Sequence, residues 1–112
     1  MAMIKEYETP KGIVSYWVVG LIQIDGFNQT AFTRLYGFMS KTHADMQNPV
    51  PIMSLEVSIT PDIYEYYFAK DIMALENVTP HTQAYQIFKD FNIKDEQGQI
   101  FNFKDAIGEV ND

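Results

Sequence analysis

Residues 13–25 read Ile-Val-Ser-Tyr-Trp-Val-Val-Gly-Leu-Ile-Gln-Ile-Asp, and this stretch decides the fold class. β-Branched and aromatic residues fill it, which is typical of a strand. Alternation places apolar residues on both faces, with Tyr16, Val18, Ile22 and Ile24 on one and Trp17, Val19 and Leu21 on the other. Such a strand lies centrally in a sheet or at a contact between subunits. Gly20 in its middle indicates a bulge or a close backbone approach.

Further strands are predicted on both sides of this stretch. Residues 4–8 form a short strand that a Pro10–Gly12 turn signal connects to it, and residues 31–40 return after an Asp-Gly turn at residues 25–29. Residues 52–59 alternate most cleanly, with Met53, Leu55, Val57 and Ile59 inward. The sequence therefore predicts an antiparallel β-meander of three to four strands.

Two helices are expected after the strands, each beginning at a Thr-Pro pair, Thr60-Pro61 and Thr79-Pro80. The first spans residues 61–75, with a break near Ala69. The second spans residues 80–91, and its apolar stripe consists of Ala84, Ile87, Phe88 and Phe91, with Gln83, Gln86, Lys89 and Asp90 facing outward. Residues 100–103 follow as a short strand, or as an arm that docks on a neighbouring molecule.

Strands followed by helices indicate a single α+β domain over residues 1–107, in which two helices pack on one face of the meander. Residues 108–112 are expected to form a disordered polar tail. The chain starts without a basic segment followed by an apolar one, so we expect no secretory signal and synthesis in the cytoplasm.

Composition excludes several classes of function. The chain has 112 residues, 46% of them hydrophobic, and carries 8 basic against 15 acidic residues for a net charge of −7. Direct nucleic-acid binding is not expected of so acidic a chain. No apolar run is long enough to cross a membrane. With no cysteine, thiolate chemistry and zinc-thiolate sites are excluded.

Side chains that might carry chemistry are few. His43 and Asp45 lie in a long polar loop at residues 41–51, and His81 is the other histidine. An enzyme hypothesis requires one of these histidines to meet a carboxylate or hydroxyl in a pocket, and no nucleophile elbow, phosphate loop or calcium loop accompanies them. We therefore predict no catalytic residue, no cofactor and no metal ligand, and expect no small-molecule ligand. The loop is predicted to bind a partner through Lys41, His43, Asp45 and Asn48.

Aromatic residues make up 14% of the chain. Aromatic side chains can pack in a core, form a contact between subunits or provide a platform for a ligand. A contact between copies of the chain is predicted through Trp17, Phe32, Phe38, Phe101 and Phe103. The alternative, a platform for carbohydrate, would use Tyr16 and Trp17 together with Tyr64, Tyr66, Tyr67 and Phe68.

A family resemblance adds a functional expectation. It rests on Tyr16-Trp17-Val18-Val19, on the strand Ala31-Phe32-Thr33-Arg34-Leu35-Tyr36-Gly37-Phe38 with the following Ser40-Lys41-Thr42-His43-Ala44, on Tyr66-Tyr67-Phe68 and on Ala84-Tyr85-Gln86-Ile87-Phe88-Lys89. In this order they resemble small structural proteins of the tail, baseplate or neck region in tailed phages and prophages of Gram-positive bacteria. The resemblance implies a non-enzymatic virion or assembly component that associates with its own copies and with other virion proteins. The alternative is a recognition module for host cell-wall carbohydrate or protein.

Overall fold

The structure is a computed structural model that describes residues 2–76 and 79–109, with the side chains of all these residues except 71, 75, 76 and 109. Four strands occupy the first half of the chain: β1 (Ala2–Thr9), β2 (Gly12–Asp25), β3 (Thr30–Phe38) and β4 (Met53–Ile59). Each pairs antiparallel with the next. The predicted α+β fold with an antiparallel meander is confirmed.

Two helices begin at the Thr-Pro pairs, as predicted, namely α2 (Pro61–Tyr67) and α4 (Pro80–Asp90). Two further helices of the described structure are α1 (Lys41–Ala44) and α3 (Lys70–Glu76). The Thr79 hydroxyl accepts a hydrogen bond from the Thr82 N–H at 3.2 Å, which caps α4. The predicted first helix is divided between α2 and α3, with Phe68 as the C-cap of α2, so the break expected near Ala69 is present. The short helix α1 lies in the segment predicted to be a loop.

Three short strands complete the fold: β5 (Ile93–Lys94), β6 (Ile100–Phe101) and β7 (Ile107–Glu109). β5 pairs with β6, and β7 pairs antiparallel with β1, which gives a five-stranded sheet in the order β4-β3-β2-β1-β7. The strand β7 corrects the predicted boundary of the tail, because Gly108 and Glu109 belong to the sheet. The rest of that predicted tail, residues 110–112, lies outside the described residues.

A β-bulge at Gly20 changes which side chains of β2 reach the core. Val19 pairs with Leu35 and Leu21 pairs with Arg34, so Gly20 is the additional residue. Beyond the bulge the two faces exchange, and Ile22 packs against the same core as Trp17 and Val19. The predicted face assignment of Leu21 and Ile22 was therefore wrong.

The main core lies between one face of the sheet and a cover formed by α4 and residues 93–106. It contains Met3, Val14, Trp17, Val19, Leu35, Leu55, Ala84, Tyr85, Phe88, Ile93, Phe101, Phe103 and Ala106. Beneath α2, a second cluster joins Tyr64 and Phe68 to Ala31, Ile59 and Ile87. A third cluster consists of Ala2, Tyr16 and Phe38, with Ala44 of α1 packed against it. Trp17 and its neighbour Tyr16 alternate across the strand, so the third cluster lies on the opposite face of the sheet.

Candidate association surface and aromatic groove

The turn between β2 and β3 is held by one carboxylate. Oδ1 of Asp25 accepts hydrogen bonds from the N–H groups of Phe27 and Asn28, both at 3.1 Å, and Oδ2 accepts one from Nδ2 of Asn28 at 2.7 Å. The hydrogen bonds from Asn28 and then from Phe27 lower the pKa of Asp25. The carboxylate is therefore ionised at neutral pH, the form that accepts these bonds. The turn is a well-defined structure rather than a loose connection.

This turn presents an aromatic side chain to solvent. Phe27 is 95% exposed, the largest exposure among the large apolar residues that the structure describes, and Ile24 beside it is also exposed. A single exposed apolar residue is ordinary. A phenyl ring at the apex of an ordered hairpin, however, has the form of an anchor that inserts into a partner. We call residues 24–29 the hairpin tip.

The opposite end of β3 carries a second exposed apolar group. There residues 41–51, which we call the α1 loop, contain Met46, 57% exposed, and Val50, 83% exposed. β3 has nine residues, so it separates the α1 loop from the hairpin tip by about 27 Å. The molecule therefore presents apolar groups at both ends of its longest hairpin.

Four of the five predicted interface residues lie inside the protein. Trp17, Phe101 and Phe103 are completely buried and Phe38 is almost so. The Trp17 ring packs edge-on against Phe103 at 5.0 Å between centroids, and its Nε1 donates to the backbone carbonyl of Lys5 at 2.9 Å. Phe101 and Phe103 thus dock on their own sheet and not on a neighbour, which corrects the interface prediction for them. Of the two alternatives for residues 100–103, the short strand is present at Ile100–Phe101.

Phe32, the fifth predicted interface residue, is half-buried on β3 with the Arg34 guanidinium 5.6 Å from its ring centroid. Arg34 in turn donates from Nε to Glu56 at 3.0 Å. Phe32 is the one member of the predicted set that keeps substantial exposed surface.

The four residues of the predicted binding loop have different environments. Lys41 and Asp45 line a cavity of about 580 Å³ that His81 and Tyr85 of α4 also line. His43 instead turns back to its own helix start, with Nδ1 2.8 Å from the Ser40 hydroxyl. Asn48 is exposed in a left-handed conformation with φ of 58°. His81, but not His43, therefore lines the same cavity as Asp45.

An aromatic groove lies between α2 and α4. Its volume is about 640 Å³, and its lining includes Ile63, Tyr66, Tyr67, Gln83, Gln86 and Phe91. Tyr66 is 74% exposed, and Phe91 is also exposed. Tyr64 and Phe68, which the sequence suggested as further platform residues, are buried in the second cluster. Phe91 was predicted to be buried, so its place at the rim was missed.

A hydrogen-bond network fixes one side of this groove. The Tyr67 hydroxyl donates to Oδ2 of Asp90 at 2.6 Å, and Nε2 of Gln86 donates to Oδ1 of the same carboxylate at 2.8 Å. Burial, followed by the bond to Asp90, raises the pKa of Tyr67 to about 12. The phenol therefore keeps its proton at neutral pH. Gln83, predicted to face solvent, is buried and donates to the Tyr67 carbonyl at 2.6 Å.

Two further observations concern the kinds of site present. Across residues 2–76 and 79–109, no three histidine, aspartate or glutamate side chains are grouped so that they could hold a metal ion. None of the helices described is long and apolar enough to span a membrane.

Comparison of the chain with protein-family models, with curated proteins and with solved structures gives no match.

Proposed function

We propose that this protein is a non-enzymatic structural or assembly protein that associates head to tail with further copies of itself. The observation that carries the proposal is the exposure of Phe27 on a turn fixed by Asp25. In an ordered turn little conformational entropy is lost when the ring becomes buried in a partner. Most of the free energy gained by burying the apolar surface of the ring is therefore available for binding.

A second copy of the chain is a suitable partner because it supplies an apolar surface at the other end. Met46 and Val50 on the α1 loop are exposed, and they lie at the end of β3 opposite to Phe27. A contact between two different surfaces of the same chain is heterologous, and it generates rings when the rotation closes or filaments when it does not. Such assemblies agree with the virion role implied by the resemblance to tailed-phage proteins.

Sedimentation equilibrium over a wide range of concentration tests the association. The wild-type protein should reach masses beyond the dimer, because a heterologous contact leaves one free surface at each end. Phe27→Ser should weaken the contact by about 30-fold or more, the usual effect of removing an aromatic anchor. Ile107→Ser is the control, since Ile107 is an exposed apolar residue outside both surfaces and its loss should leave association unchanged.

A mixing experiment distinguishes head-to-tail contact from a symmetric dimer. Phe27→Ser keeps an intact α1 loop, and the double variant Met46→Ser/Val50→Ser keeps an intact hairpin tip. Each should be monomeric alone, and their mixture should form a dimer that grows no further. A wild-type protein that stays monomeric at every concentration contradicts the proposal, as does a dimer that both variants form equally well.

The virion assignment needs its own test. Genes for tail or capsid proteins beside the gene for this chain would support it, whereas a setting among unrelated metabolic genes would oppose it. The head-to-tail contact is measured on the purified protein and does not depend on that outcome.

A further inference from the structure

We infer that the aromatic groove between α2 and α4 binds a neutral saccharide. The described residues that line the groove differ from those of the hairpin tip and the α1 loop, so the inference does not depend on the proposed association, although Tyr66 also lines a second cavity with Gln29 of the tip. Three properties of the groove favour such a ligand: its exposed rings, its charge and its hydrogen-bond acceptors.

The rings provide stacking surfaces. Tyr66 stands largely exposed at the rim, and the exposed Phe91 lies with its ring 6.3 Å from that of the half-buried Tyr67. The C–H faces of a sugar ring are apolar, and burying them against aromatic rings is favourable in water. The volume of about 640 Å³ falls within the range of small-molecule sites and accommodates a mono- or disaccharide.

The charge of the lining argues against anionic ligands. Asp62 lines the groove, Asp90 lies beside it through its bonds to Tyr67 and Gln86, and no lysine, arginine or histidine is among the described lining residues. The chain also has a net charge of −7. A phosphate or carboxylate would therefore meet repulsion without a compensating cation. The ligand is accordingly uncharged or cationic and not an anion.

The polar groups favour a ligand that donates hydrogen bonds. Because Nε2 of Gln86 is committed to Asp90, the amide is oriented and its carbonyl oxygen is left as an acceptor. The Asp62 carboxylate also lies in the lining, and although it accepts from the Thr60 hydroxyl it has further lone pairs for a ligand. Sugar hydroxyls match acceptors of this kind. A proline-rich peptide would also suit aromatic rings, but proline has no N–H to donate.

Titration of ¹⁵N-labelled protein with cellobiose, maltose and N,N′-diacetylchitobiose tests the inference, with saturation-transfer NMR on the sugar protons. At least one of these sugars should shift the amide signals around Tyr66, Gln86 and Phe91. Tyr66→Ala should weaken binding about tenfold, whereas Tyr66→Phe should retain most of it, because the ring face is preserved. Gln86→Leu should also weaken binding through the lost acceptor. Ile107→Ser, at an exposed apolar position outside the groove, the hairpin tip and the α1 loop, is the control and should bind as the wild type does.

Three results would overturn the inference. The first is the absence of groove shifts with all three sugars at concentrations well into the millimolar range. The second is a shift that Tyr66→Ala leaves unchanged. The third is a proline-rich peptide that occupies the groove while the sugars do not. Circular dichroism of each variant verifies that α2 and α4 remain folded, so that lost binding is not lost structure.

Discussion

The ring of Tyr36 lies directly across Gly20, and a β-carbon built on residue 20 would come within 2.2 Å of two carbons of that ring. The contact crosses from β3 to the bulge of β2, where one additional residue separates two runs of paired residues. Glycine at this position leaves space for the ring.

Gly20→Ala should lower the free energy of unfolding by about 1–3 kcal/mol, since the added methyl group forces the Tyr36 ring out of its place. Denaturant unfolding measures the effect. Gly108→Ala is the matched control, because nothing lies within 4 Å of a β-carbon at that position. In a Tyr36→Ala background the cost of Gly20→Ala should largely disappear. Equal costs in both backgrounds would show that the ring is not the cause.

Phe103→Ala should lower the free energy of unfolding by about 3–5 kcal/mol, because it removes a buried ring that packs on Trp17. This loss should be independent of protein concentration, as expected for a core residue. An interface residue would instead give a midpoint that changes with concentration. Phe32→Ala is the comparison, and its half-buried ring should cost less. A loss of stability in Phe103→Ala that depends on protein concentration would indicate that Phe103 lies in an interface.

Thr33→Val should raise the free energy of unfolding by about 1 kcal/mol. The Thr33 side chain is fully buried on β3, and its hydroxyl oxygen has no hydrogen-bond partner among the described residues. Valine has nearly the same shape and removes an unsatisfied polar group from the core. Thermal unfolding monitors the change, with Thr30→Val at a half-buried position as control. A loss of stability at residue 33 would indicate that the hydroxyl is satisfied after all.

The pairing of Lys5 with Asp105 predicts a dependence of stability on pH. Nζ of Lys5 lies 2.6 Å from Oδ1 of Asp105 and donates to the Asn102 carbonyl at 2.6 Å. The hydrogen bond from Lys5 lowers the pKa of Asp105 below its ordinary value of 3.8, and the same bond raises the pKa of Lys5 above 10.5. The pair therefore stabilises the fold between these values. Its contribution is lost as the pH falls through the lowered pKa of Asp105 or rises through the raised pKa of Lys5.

Thermal unfolding of wild type and Asp105→Asn across this range measures the contribution of the pair. The wild type should be the more stable near neutral pH, and the difference should shrink once the pH is well below 3.8. Asp95→Asn is a comparison at a different turn that Lys5 does not contact in the described structure. A difference in stability between the two proteins that stays constant as the medium becomes acidic would mean that the charge of Asp105 does not contribute to stability.

Much of the sheet could be predicted from local pattern, because alternation and turn residues act over a few positions. The side of the sheet that each residue of β2 faces beyond Gly20 could not be predicted in this way. The position of the additional residue depends on how β2 pairs with β3, and the run of apolar residues continues across it. A bulge was expected at Gly20, but its consequence for Leu21 and Ile22 required the register.

The interface prediction failed for a related reason. A strand that is apolar on both faces shows only that something covers it, and a second copy and a distant part of the same chain leave the same pattern. Here Phe101 and Phe103 cover Trp17.

In α4, helical spacing misplaced Phe91 because the helix ends at Asp90 and Phe91 is already extended, with φ of −118° and ψ of 147°. Gln83 is buried because its amide satisfies a carbonyl at the end of α2.

The return of β7 and of residues 100–106 to β1 has a consequence for synthesis of the chain. The Tyr7 hydroxyl donates to the Asn102 carbonyl and accepts from the Asn102 N–H, both at 2.7 Å and across 95 positions of sequence. While the polypeptide emerges from the ribosome, the Trp17 ring and the outer edge of β1 therefore stay solvated until residues 101–109 have been made. Contacts of such long range slow folding. Nascent chains halted before Phe101 should consequently be the species that depends most on chaperones.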